Sequence, residues 1–448
     1  MRRSFLALLA LPLFGLACSS SSTKPKPTDA AAVDDATSAD DAATADDAIA
    51  VANDAFTSTD VDFGPHCPVP VATEPAGLTP WNTVTGLKMN AAWYQSDIGV
   101  YIAENILYYQ IPNVGGWGKN FDMTVRSTPV NSAEATKAMI DNSATTTQII
   151  FMAHMVQAWP GCQRYLDSFN KGMTYLFMAQ YQTNGGWPQV FPIEPSDYSR
   201  HITYNDNAMK HVMEIMRDLS TNQPLYSFVD DTTRAQAGTA MQKGVECMLN
   251  TQITLNGVKS AWCAQHDEIT LLPANARAYE LASESGREGA GVLAFLMTLN
   301  LDNQTNKQAI IDAVEAAVTW FNMARIDGYR YVRANLDGGA IADSWLVPSP
   351  TSTIWARFYE IEPAYRTLFV GRDGLKHFTW DEFAANPAYQ ERRGGYDWFV
   401  TDPSGLLTKT YPAWAKINTP GRNVLGSSDG GAGVDDAPIL DADSIDAN

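Results

Sequence analysis

A succession of amphipathic helical segments constrains the fold of this chain more than any other feature. Between about residues 67 and 400, apolar residues recur at three- and four-residue spacings, and the joining segments are rich in Gly, Pro, Trp and Tyr. No run of alternating residues supports a sandwich, a β-barrel or a β-helix. The predicted helices cover 133–159, 163–182, 206–219, 232–250, 288–299 and 307–322. Helical hairpins in sequence predict a mainly α fold, an α/α barrel or toroid with long active-site loops.

The N-terminus has the pattern of an export signal. Two arginines precede an apolar run over residues 5–17, which is too short to span a bilayer as a stable helix. Ala17 followed by Cys18 and four serines predicts a lipoprotein-type signal over 1–18, with acyl chains on Cys18. Gly15 stands where such signals usually have leucine, so cleavage near Ala17 and free secretion is the alternative. We expect an exported protein, lipid-anchored at the cell surface or outer membrane, and otherwise secreted.

The formal net charge of −19 comes mostly from two low-complexity segments. Residues 19–65 are mainly Ala, Asp, Thr and Ser, which cannot bury enough apolar area to offset the backbone entropy, so we expect a disordered tether. The folded domain that would carry the function is predicted over 66–402, followed by a C-terminal extension over 403–448 with an acidic, disordered tail. No basic cluster occurs, so nucleic acid is not expected as a partner, and the domain is expected to be a monomer.

Four cysteines remain if Cys18 is acylated, namely Cys67, Cys162, Cys247 and Cys263. An even number in an exported protein permits two disulfides, but the sequence leaves their connectivity open. The chain has no CxxC pair, which argues against a structural zinc site.

Two loops contain Gly-Gly-Trp strings followed by polar residues. Residues 115–117 precede Lys119, and residues 185–187 end in Trp187. Exposed tryptophans beside glycines could stack on sugar rings, while Lys119 could bind a carboxylate. The alternative is that these tryptophans only pack the loops onto the helices.

Two further strings offer carboxylates. Residues 201–209 include Asp206 and Asn207 just before a helix, where capping is a sufficient structural explanation for one of them. Asp267 ends a Trp-rich string at 262–267. Two separated carboxylates and an amide oxygen would form half a shell for calcium, which takes six to eight oxygen ligands.

Two arginines lie in aromatic and Gly-rich surroundings. Arg357 and Arg372 suit carboxylate recognition, because the guanidinium fork matches two oxygens. Buried arginine–carboxylate bridges involving Glu360 or Asp373 are the alternative, and the residues themselves do not decide between the two.

Together these strings resemble the successive motifs of the tenth polysaccharide-lyase family, the pectate lyases with an α/α-barrel fold. The resemblance runs in order from about residue 90 to residue 398. The motifs are GGWPQ at 185–189, HITYNDNAM at 201–209, WCAQHD at 262–267, WARFYEI at 355–361 and GRDG at 371–374. The resemblance implies β-elimination of α-1,4-linked polygalacturonate with calcium, giving 4,5-unsaturated oligogalacturonides.

The resemblance also implies roles for single residues. Asp206 would bind the catalytic calcium with Asn207 beside it, and Asp267 would be a second carboxylate on the metal or substrate side. Arg357 would hold a uronate carboxylate, and Arg372 would be the catalytic base. A guanidinium is protonated at ordinary pH, so a base of this kind predicts an alkaline optimum.

The chain departs from the family pattern in two places. The segment between the two arginines is one residue longer, and residues 281–283 stand where the family has a Pro-rich stretch. Arg287, in a string that resembles the family's next motif, is a further candidate for substrate binding.

Two other functions fit the residues. A glycoside hydrolase on an α/α scaffold could use Asp206 and Asp267 as its pair of carboxylates. A pectin-binding surface lipoprotein would bind fragments without cleaving them. The products and the metal dependence of the reaction separate these alternatives from a lyase.

Overall fold

The computed structural model describes residues 66–78, 80–81, 89–126, 137–335, 342–385 and 396–426. All of these residues lie in one unit, which starts after Val61. The predicted signal with Cys18, the tether at 19–65 and the tail from residue 427 lie outside the described residues. Within the described ranges, no helix has both the length and the apolar character needed to cross a membrane.

Helices occupy all six segments in which the sequence predicts them. The first starts late, because residues 137–145 form an irregular segment with a short 3-10 turn at Asp141–Ser143. The helices are α1 (Ala91–Tyr94), α2 (Asp97–Tyr109), α3 (Thr146–Ala158), α4 (Gln163–Ala179), α5 (Ala208–Ser220), α6 (Asp231–Thr251), α7 (Glu288–Leu296), α8 (Lys307–Met323), α9 (Trp380–Ala385), α10 (Asp402–Gly405) and α11 (Tyr411–Asn418).

Helix α5 shows why the apolar periodicity predicts these elements well. Its apolar residues recur every three or four positions and all are buried, as expected for a helix with one face on the core. These residues are Ala208, Met209, Val212, Met213, Ile215, Met216 and Leu219. The next helix, α6, begins at Asp230, whose side chain accepts a hydrogen bond from the Thr233 backbone N–H.

The predicted fold class, a mainly α barrel, is wrong. Helices account for less than half of the chain, and eleven strands lie among the described residues. The strands are β1 (Ile202–Thr203), β2 (Thr254–Leu255), β3 (Val258–Lys259), β4 (Gln265–His266), β5 (Glu284–Ser285), β6 (Ile326–Asn335), β7 (Ala342–Ala356), β8 (Phe358–Tyr359), β9 (Phe369–Val370), β10 (Lys376–His377) and β11 (Phe399–Val400). All of the strand pairs are antiparallel.

The long hairpin of β6 and β7 is the main source of this error. No strand is predicted for residues 326–354, which follow the last predicted helix, although β6 and β7 pair from Ile326 with Ile354 to Asn335 with Ala342. Pro348 and Pro350 argue against a central strand, because proline cannot donate to a ladder. They are tolerated here because β11 pairs with β7 only at Trp355 and Ala356, so the proline-containing part of β7 is an edge.

A repeated Trp anchor organises the helical part of the fold. Four buried tryptophans lie in the segments after α2, α4, α6 and α8, and each indole N–H donates to a backbone carbonyl of one of these helices. The bonds join Trp117 to Ile106 O (2.8 Å), Trp187 to Leu176 O (2.7 Å), Trp262 to Met248 O (2.7 Å) and Trp355 to Phe321 O (2.7 Å). Each loop is therefore fixed at one end to its own helix.

Glutamines at the helix ends connect the repeated units. The side-chain amides of Gln110, Gln180 and Gln252 each donate to a carbonyl in their own loop and to a carbonyl in the next helix but one. The second acceptors are Ser168 O in α4, Ala240 O in α6 and Ala313 O in α8, each at 2.9 Å. Helices α2, α4, α6 and α8 are thereby linked in series.

One disulfide forms among the described residues. Cys67 is bonded to Cys162, which lies just before α4, and the two are 95 residues apart in sequence. Cys247 and Cys263 are buried free thiols. The even cysteine count permits a second bridge, and the structure leaves those two residues unbridged.

Candidate active site

Three carboxylates lie in three successive Trp-anchored loops. Asp206 and Glu288 occupy equivalent positions, whereas Asp141 lies one position earlier, where the second loop has Asn205. Asp141, Asp206 and Glu288 each lie just before or at the start of a helix, namely α3, α5 and α7. In each loop, a residue two or three positions before the acid donates its backbone N–H to the carbonyl of the anchoring tryptophan. The bonds join Met139 to Trp117 (3.0 Å), Thr203 to Trp187 (3.0 Å) and Ser285 to Trp262 (2.8 Å).

A second set of backbone bonds connects each loop to the next. The residue that directly follows this first donor also donates its backbone N–H. Its acceptor is the carbonyl of the residue two positions after the anchoring tryptophan of the next loop. The bonds join Ile140 to Gln189 (3.0 Å), Tyr204 to Ala264 (2.8 Å) and Gly286 to Arg357 (2.8 Å). Acids from different loops thus approach one another, and Lys119 and Arg357 occupy equivalent positions two residues after their tryptophans.

Arg357 is the buried cation at the centre of this arrangement. Its side chain is 3% exposed, and Nη2 donates to Glu288 Oε1 at 2.5 Å, to Asp206 Oδ1 at 3.3 Å and to Asn205 Oδ1 at 3.3 Å. The guanidinium carbon lies 4.4 Å from the centroid of the Tyr396 ring. Burial alone would lower the pKa of Arg357, but the Glu288 and Asp206 carboxylates raise it, so the guanidinium stays charged.

The two carboxylates beside Arg357 differ in their environment. Burial alone would raise the pKa of Glu288, but Arg357 and the Ser285 hydroxyl outweigh it and hold the pKa below its usual value. The Asp206 side chain is 30% exposed. Burial raises the pKa of Asp206, Arg357 opposes this, and the charges of Glu288 and Asp141 raise it further. Asp206 is therefore the carboxylate of this pair that is accessible to solvent, and Arg357 neutralises its negative charge only in part.

Strained backbone accompanies the acids. Asp206 has φ 51° and Asn207 has φ 61°, and Asn142, next to Asp141, also has φ 51°. Non-glycine residues in the left-handed region cost roughly 1–3 kcal/mol each and concentrate at functional sites. The left-handed pair Asp206–Asn207 is matched by Asn142–Ser143, which has φ 51° and 61°, so Asn142 is the conformational counterpart of Asp206.

The sequence analysis missed Asp141. Its Oδ2 accepts from Lys119 Nζ at 2.7 Å, and the residue is 3% exposed. Its other oxygen, Oδ1, is buried with no hydrogen-bond partner among the described residues. The signal was present in the sequence, because Asp-Asn follows Gly-Gly-Trp and precedes a helix in both loops.

Arg287 lies at the edge of the same cluster. Its Nη1 donates to Asp397 Oδ2 at 2.8 Å, and Asp397 also accepts from Arg333. Burial raises the pKa of Asp206, and the positive charges of Arg357 and, less strongly, Arg287 oppose that rise. Arg333 lies in β6 and Asp397 lies just before β11, and neither residue belongs to a motif named in the sequence analysis.

Arg372 is exposed and is separated from Arg357 by two tyrosine rings. Its guanidinium carbon is 5.5 Å from the centroid of the Tyr279 ring. Tyr279 packs edge-on against Tyr396 with centroids 5.7 Å apart, and Tyr396 in turn contacts Arg357. The two arginines of the predicted site are therefore on opposite sides of one aromatic pair.

Asp267 belongs to a different cluster. Strands β1 and β4 pair Ile202 with His266, so the antiparallel register places Asp267 beyond one end of the pair and Asp206 beyond the other. His201, Asp267 and Glu268 offer ligand atoms within 4.8 Å of one another and could hold a metal ion. The structure therefore does not bring the two predicted calcium carboxylates together.

Arg200 occupies the Asp267 cluster as well. Its guanidinium lies 3.0 Å from Glu268 and 3.8 Å from Asp267. Asp267 Oδ1 also accepts from the backbone N–H groups of Ile269 and Thr270, which lowers its pKa. The negative charge of this cluster is already partly compensated.

Two predicted substrate-contacting residues face the protein interior. Trp187 is fully buried and anchors its loop, so it cannot stack on a sugar ring, and the prediction for Trp187 is corrected to a structural role. Asn207 Oδ1 lies against α7, where a Cβ added to Gly291 would be 1.8 Å from it. Lys119, by contrast, lines a cavity of about 550 Å³ together with Asn142 and His211.

The donor set at Asp206 suits a hard cation. Calcium binds oxygen ligands, and Asp206 offers a partly exposed carboxylate, while Asp141 has a buried oxygen with no hydrogen-bond partner among the described residues. An anionic oxygen without a partner is costly to bury, so a cation at this place would relieve the cost. The residues present therefore fit a calcium ion.

Comparisons with known proteins agree with this geometry. A family model described as "Pectic acid lyase" matches residues 111–407. The chain is similar to the solved structure of a family 10 polysaccharide lyase from Cellvibrio cellulosa, with 33% identity, a TM-score of 0.59, and 73% of this chain and 93% of that chain covered. It is also similar to an aspartate-to-alanine mutant of that lyase in complex with trigalacturonic acid, with 33% identity, a TM-score of 0.60, and 73% and 94% covered. No curated protein sequence matches this chain.

Proposed function

Because this chain belongs to the pectic acid lyase family, we propose that it cleaves α-1,4-linked polygalacturonate by calcium-dependent β-elimination. The products would be 4,5-unsaturated oligogalacturonides. One observation supports this most directly. Arg357 donates hydrogen bonds to both Glu288 and the partly exposed Asp206, so a fixed guanidinium lies directly beside a carboxylate that solvent can reach. The relative in complex with trigalacturonic acid supports the same class of substrate.

Arg357 is proposed to hold the uronate carboxylate. Its Nε has no hydrogen-bond partner among the described residues, although its Nη2 is fully used. A uronate oxygen at that donor would complete the guanidinium's hydrogen bonding. Arg287 and Lys119, whose charges lie near Asp206 and Asp141, are proposed to bind neighbouring uronates.

Asp206 is proposed to bind calcium, and Asp267 to act on the substrate side of the cleft or in a separate metal site. A bound calcium ion supplies positive charge to the uronate carboxylate, which becomes more negative as the proton on C5 leaves. The chain's own part is to hold Asp206 rigidly. The left-handed turn at Asp206 and the hydrogen bond from Asn205 Nδ2 to Asp206 Oδ2, at 2.8 Å, serve that purpose.

Arg372 is proposed as the base. It would take the C5 proton, the C5–H electron pair would form the C4–C5 double bond, and the C4–O4 bond would break, with O4 protonated by water. A guanidine base needs to lose its own proton first, so the reaction should be fastest well above neutral pH. Exposure of Arg372 to solvent allows that exchange.

The protein is further proposed to be an exported monomer, anchored through acylated Cys18. The family membership agrees with export, and the N-terminal pattern supports the anchor. Acyl chains at Cys18 would appear as a mass increase of the N-terminal peptide and as partition into detergent, and a water-soluble chain cleaved near Ala17 would contradict the anchor.

The deciding experiment follows ultraviolet absorbance of the unsaturated product from polygalacturonate at alkaline pH. We expect a rise that needs calcium, disappears with chelator and is lost in Arg372→Ala. Reducing ends without absorbance would indicate a hydrolase instead. Retained binding without either product would indicate a pectin-binding protein. An optimum near pH ~5 would contradict Arg372 as the base, because that range points to a carboxylate.

A further inference from the structure

The Ser143 hydroxyl has a partner that its place in the chain does not explain. Its Oγ lies 3.1 Å from Nδ1 of His211 in α5, and His211 is its only hydrogen-bond partner among the described residues. Ser143 ends the short turn before α3, where serine commonly caps a helix. The N-cap of α3 is Thr145, however, and no side chain makes a cap hydrogen bond there. The hydroxyl is therefore directed at the imidazole and not at the helix.

The backbone holds this hydroxyl in a strained turn. Ser143 has φ 61°, a left-handed conformation that costs a non-glycine residue roughly 1–3 kcal/mol. The nucleophilic serine of many hydrolases lies in a similar place, on a strained turn directly before a helix. Backbone strain and the start of a helix thus occur together at Ser143.

His211 has the properties that a general base needs. It is half-buried, and burial lowers its pKa, with Lys210 lowering it further and Glu214 opposing the effect. The imidazole is therefore neutral at pH 7, so Nδ1 can accept the proton of the Ser143 hydroxyl when the other ring nitrogen carries the ring proton.

The cavity beside this pair has a separate sign of a polar ligand. Ser143, His211 and Lys119 all line the cavity of about 550 Å³ described above. Gln148 lines it too, is only 3% exposed, and has a buried Oε1 with no hydrogen-bond partner among the described residues. A buried amide oxygen without a donor costs about 1–3 kcal/mol, and a sugar hydroxyl would supply the donor.

We propose that Ser143 and His211 are a nucleophile and base that remove O-acetyl groups from galacturonate. The identity of the sugar rests on the proposed function. The type of ester follows from Lys119, which suits a free uronate carboxylate, whereas a methyl ester would remove that charge. An acetyl ester on a ring hydroxyl leaves the carboxylate free, and Ala144 and Ile150 give the cavity an apolar wall for the acetyl methyl group.

The reaction is an acyl transfer in two steps. Ser143 Oγ bonds to the acetyl carbon while its proton passes to His211, and the bond to the sugar oxygen breaks as that oxygen takes the proton. Water then attacks the acetyl-serine and gives a proton to His211, which returns it to Ser143 Oγ as acetate leaves. The first N–H groups of a helix lack intrahelical acceptors, so those of Thr147 and Gln148, beside the cavity, would stabilise the negative carbonyl oxygen.

The alternative is a packing role for the same contact. Asn207 is the second left-handed residue of the next loop, as Ser143 is of its own, and Asn207 also faces a helix, α7. In that case the hydroxyl and the imidazole only seat the loop on α5, and no ester is cleaved.

Acetate release separates the two roles. The protein is incubated with O-acetylated polygalacturonate and chelator, which suppresses the calcium-dependent elimination, and free acetate is measured. We expect release by the wild type and a fall of at least about 100-fold in Ser143→Gly and in His211→Gln. Glycine adopts a positive φ without strain, so Ser143→Gly should fold at least as well as the wild type in urea unfolding. Both variants should keep product absorbance on unacetylated polygalacturonate with calcium.

Two controls test the imidazole and the ester. His154→Gln removes another half-buried imidazole, which stacks on Tyr94 with centroids 4.6 Å apart and has no hydroxyl partner among the described residues, and it should release acetate normally. Lys119→Met should slow release from acetylated polygalacturonate but not from p-nitrophenyl acetate, which has no carboxylate. Methyl-esterified pectin should yield no methanol.

The opposite results would overturn the proposal. No acetate release by the wild type from either ester, or equal release by Ser143→Gly, would leave only the packing role. Methanol in place of acetate would contradict the assigned ester. Acetate release and product absorbance are separate reactions, so the esterase and the lyase can each fail without the other.

Discussion

Glu288 accepts a hydrogen bond from the Arg357 guanidinium at 2.5 Å, and both side chains are almost completely shielded from solvent. The pair joins the loop that follows Trp262 to the loop that follows Trp355. A buried ion pair is not by itself strong net stabilisation, because both charges lose their hydration. Its consequence here is positional: it fixes the guanidinium so that the same nitrogen also faces Asp206.

Arg357→Met should therefore destabilise the protein by about 3–5 kcal/mol, because Glu288 is left as an uncompensated buried charge. Adding Glu288→Leu should restore most of the stability, and product formation should remain lost in both variants. Urea unfolding and product absorbance measure the two effects. Arg325→Met is the matched control, since its pair with Asp327 is about half exposed and should be worth at most ~1 kcal/mol. A double variant that recovers activity would contradict the role of Arg357 in substrate binding.

Glu284 should make stability fall as pH rises. It is buried, it accepts from Trp320 Nε1 at 2.8 Å, and burial raises its pKa from 4.5 to about 7. The folded state thus binds this proton more tightly than the unfolded chain does. The resulting loss of stability is absent below pH ~4.5, grows as pH rises and is complete above pH ~7, reaching on the order of 3 kcal/mol.

The test compares wild type with Glu284→Gln in urea between pH 5 and 9. The variant should gain stability relative to wild type as pH increases through this range, whatever its absolute stability at pH 5. A difference that does not change with pH would show that Glu284 has an ordinary pKa in the folded protein.

Gly291→Ala should lower activity, although Gly291 is not itself a residue of the candidate site. The new Cβ would lie 1.8 Å from Asn207 Oδ1, so either α7 or the Asp206–Asn207 turn must move. We expect a loss of about 1–3 kcal/mol, as for other overpacked positions, and a larger fall in activity than in stability. Gly405→Ala is the control, because its Cβ would meet no atom within 4 Å, and it should be neutral or slightly stabilising. Equal behaviour of the two variants would contradict the tight contact between α7 and the turn.

Thiol titration should distinguish the cysteine pairs. In a chain that lacks the signal, denaturant without reductant should expose two reactive thiols, Cys247 and Cys263, and reduction should raise the number to four. Replacing Cys67 and Cys162 with serine should lower the free energy of unfolding by roughly 4–5 kcal/mol, since a loop of about 100 residues is no longer closed. Finding no free thiol before reduction would mean that the two buried cysteines are also bridged.

The sequence determined the helices and the order of the motifs. Apolar periodicity is a local property of consecutive residues, so α4, α5, α6, α7 and α8 could be predicted within a few positions. The motifs around Asp206 and Arg357 were also visible, because their residue types and order are independent of the fold. The long β6–β7 hairpin was not, because its strands contain Gly and Pro, and pairing between segments depends on partners that a local pattern does not reveal.

Only the tertiary structure decided which motif residues meet. Asp206 and Asp267 look like two ligands of one metal in sequence, but the register of β1 and β4 puts them at opposite ends of a strand pair. Arg357 and Glu288 look unrelated, yet the bond from Gly286 N–H to Arg357 O brings them into contact. Trp187 has the composition of a sugar platform and is an anchor inside the fold. The physical reason is the same throughout: residue type sets what a side chain can bind, whereas hydrogen bonds between distant loops determine its neighbours and its exposure.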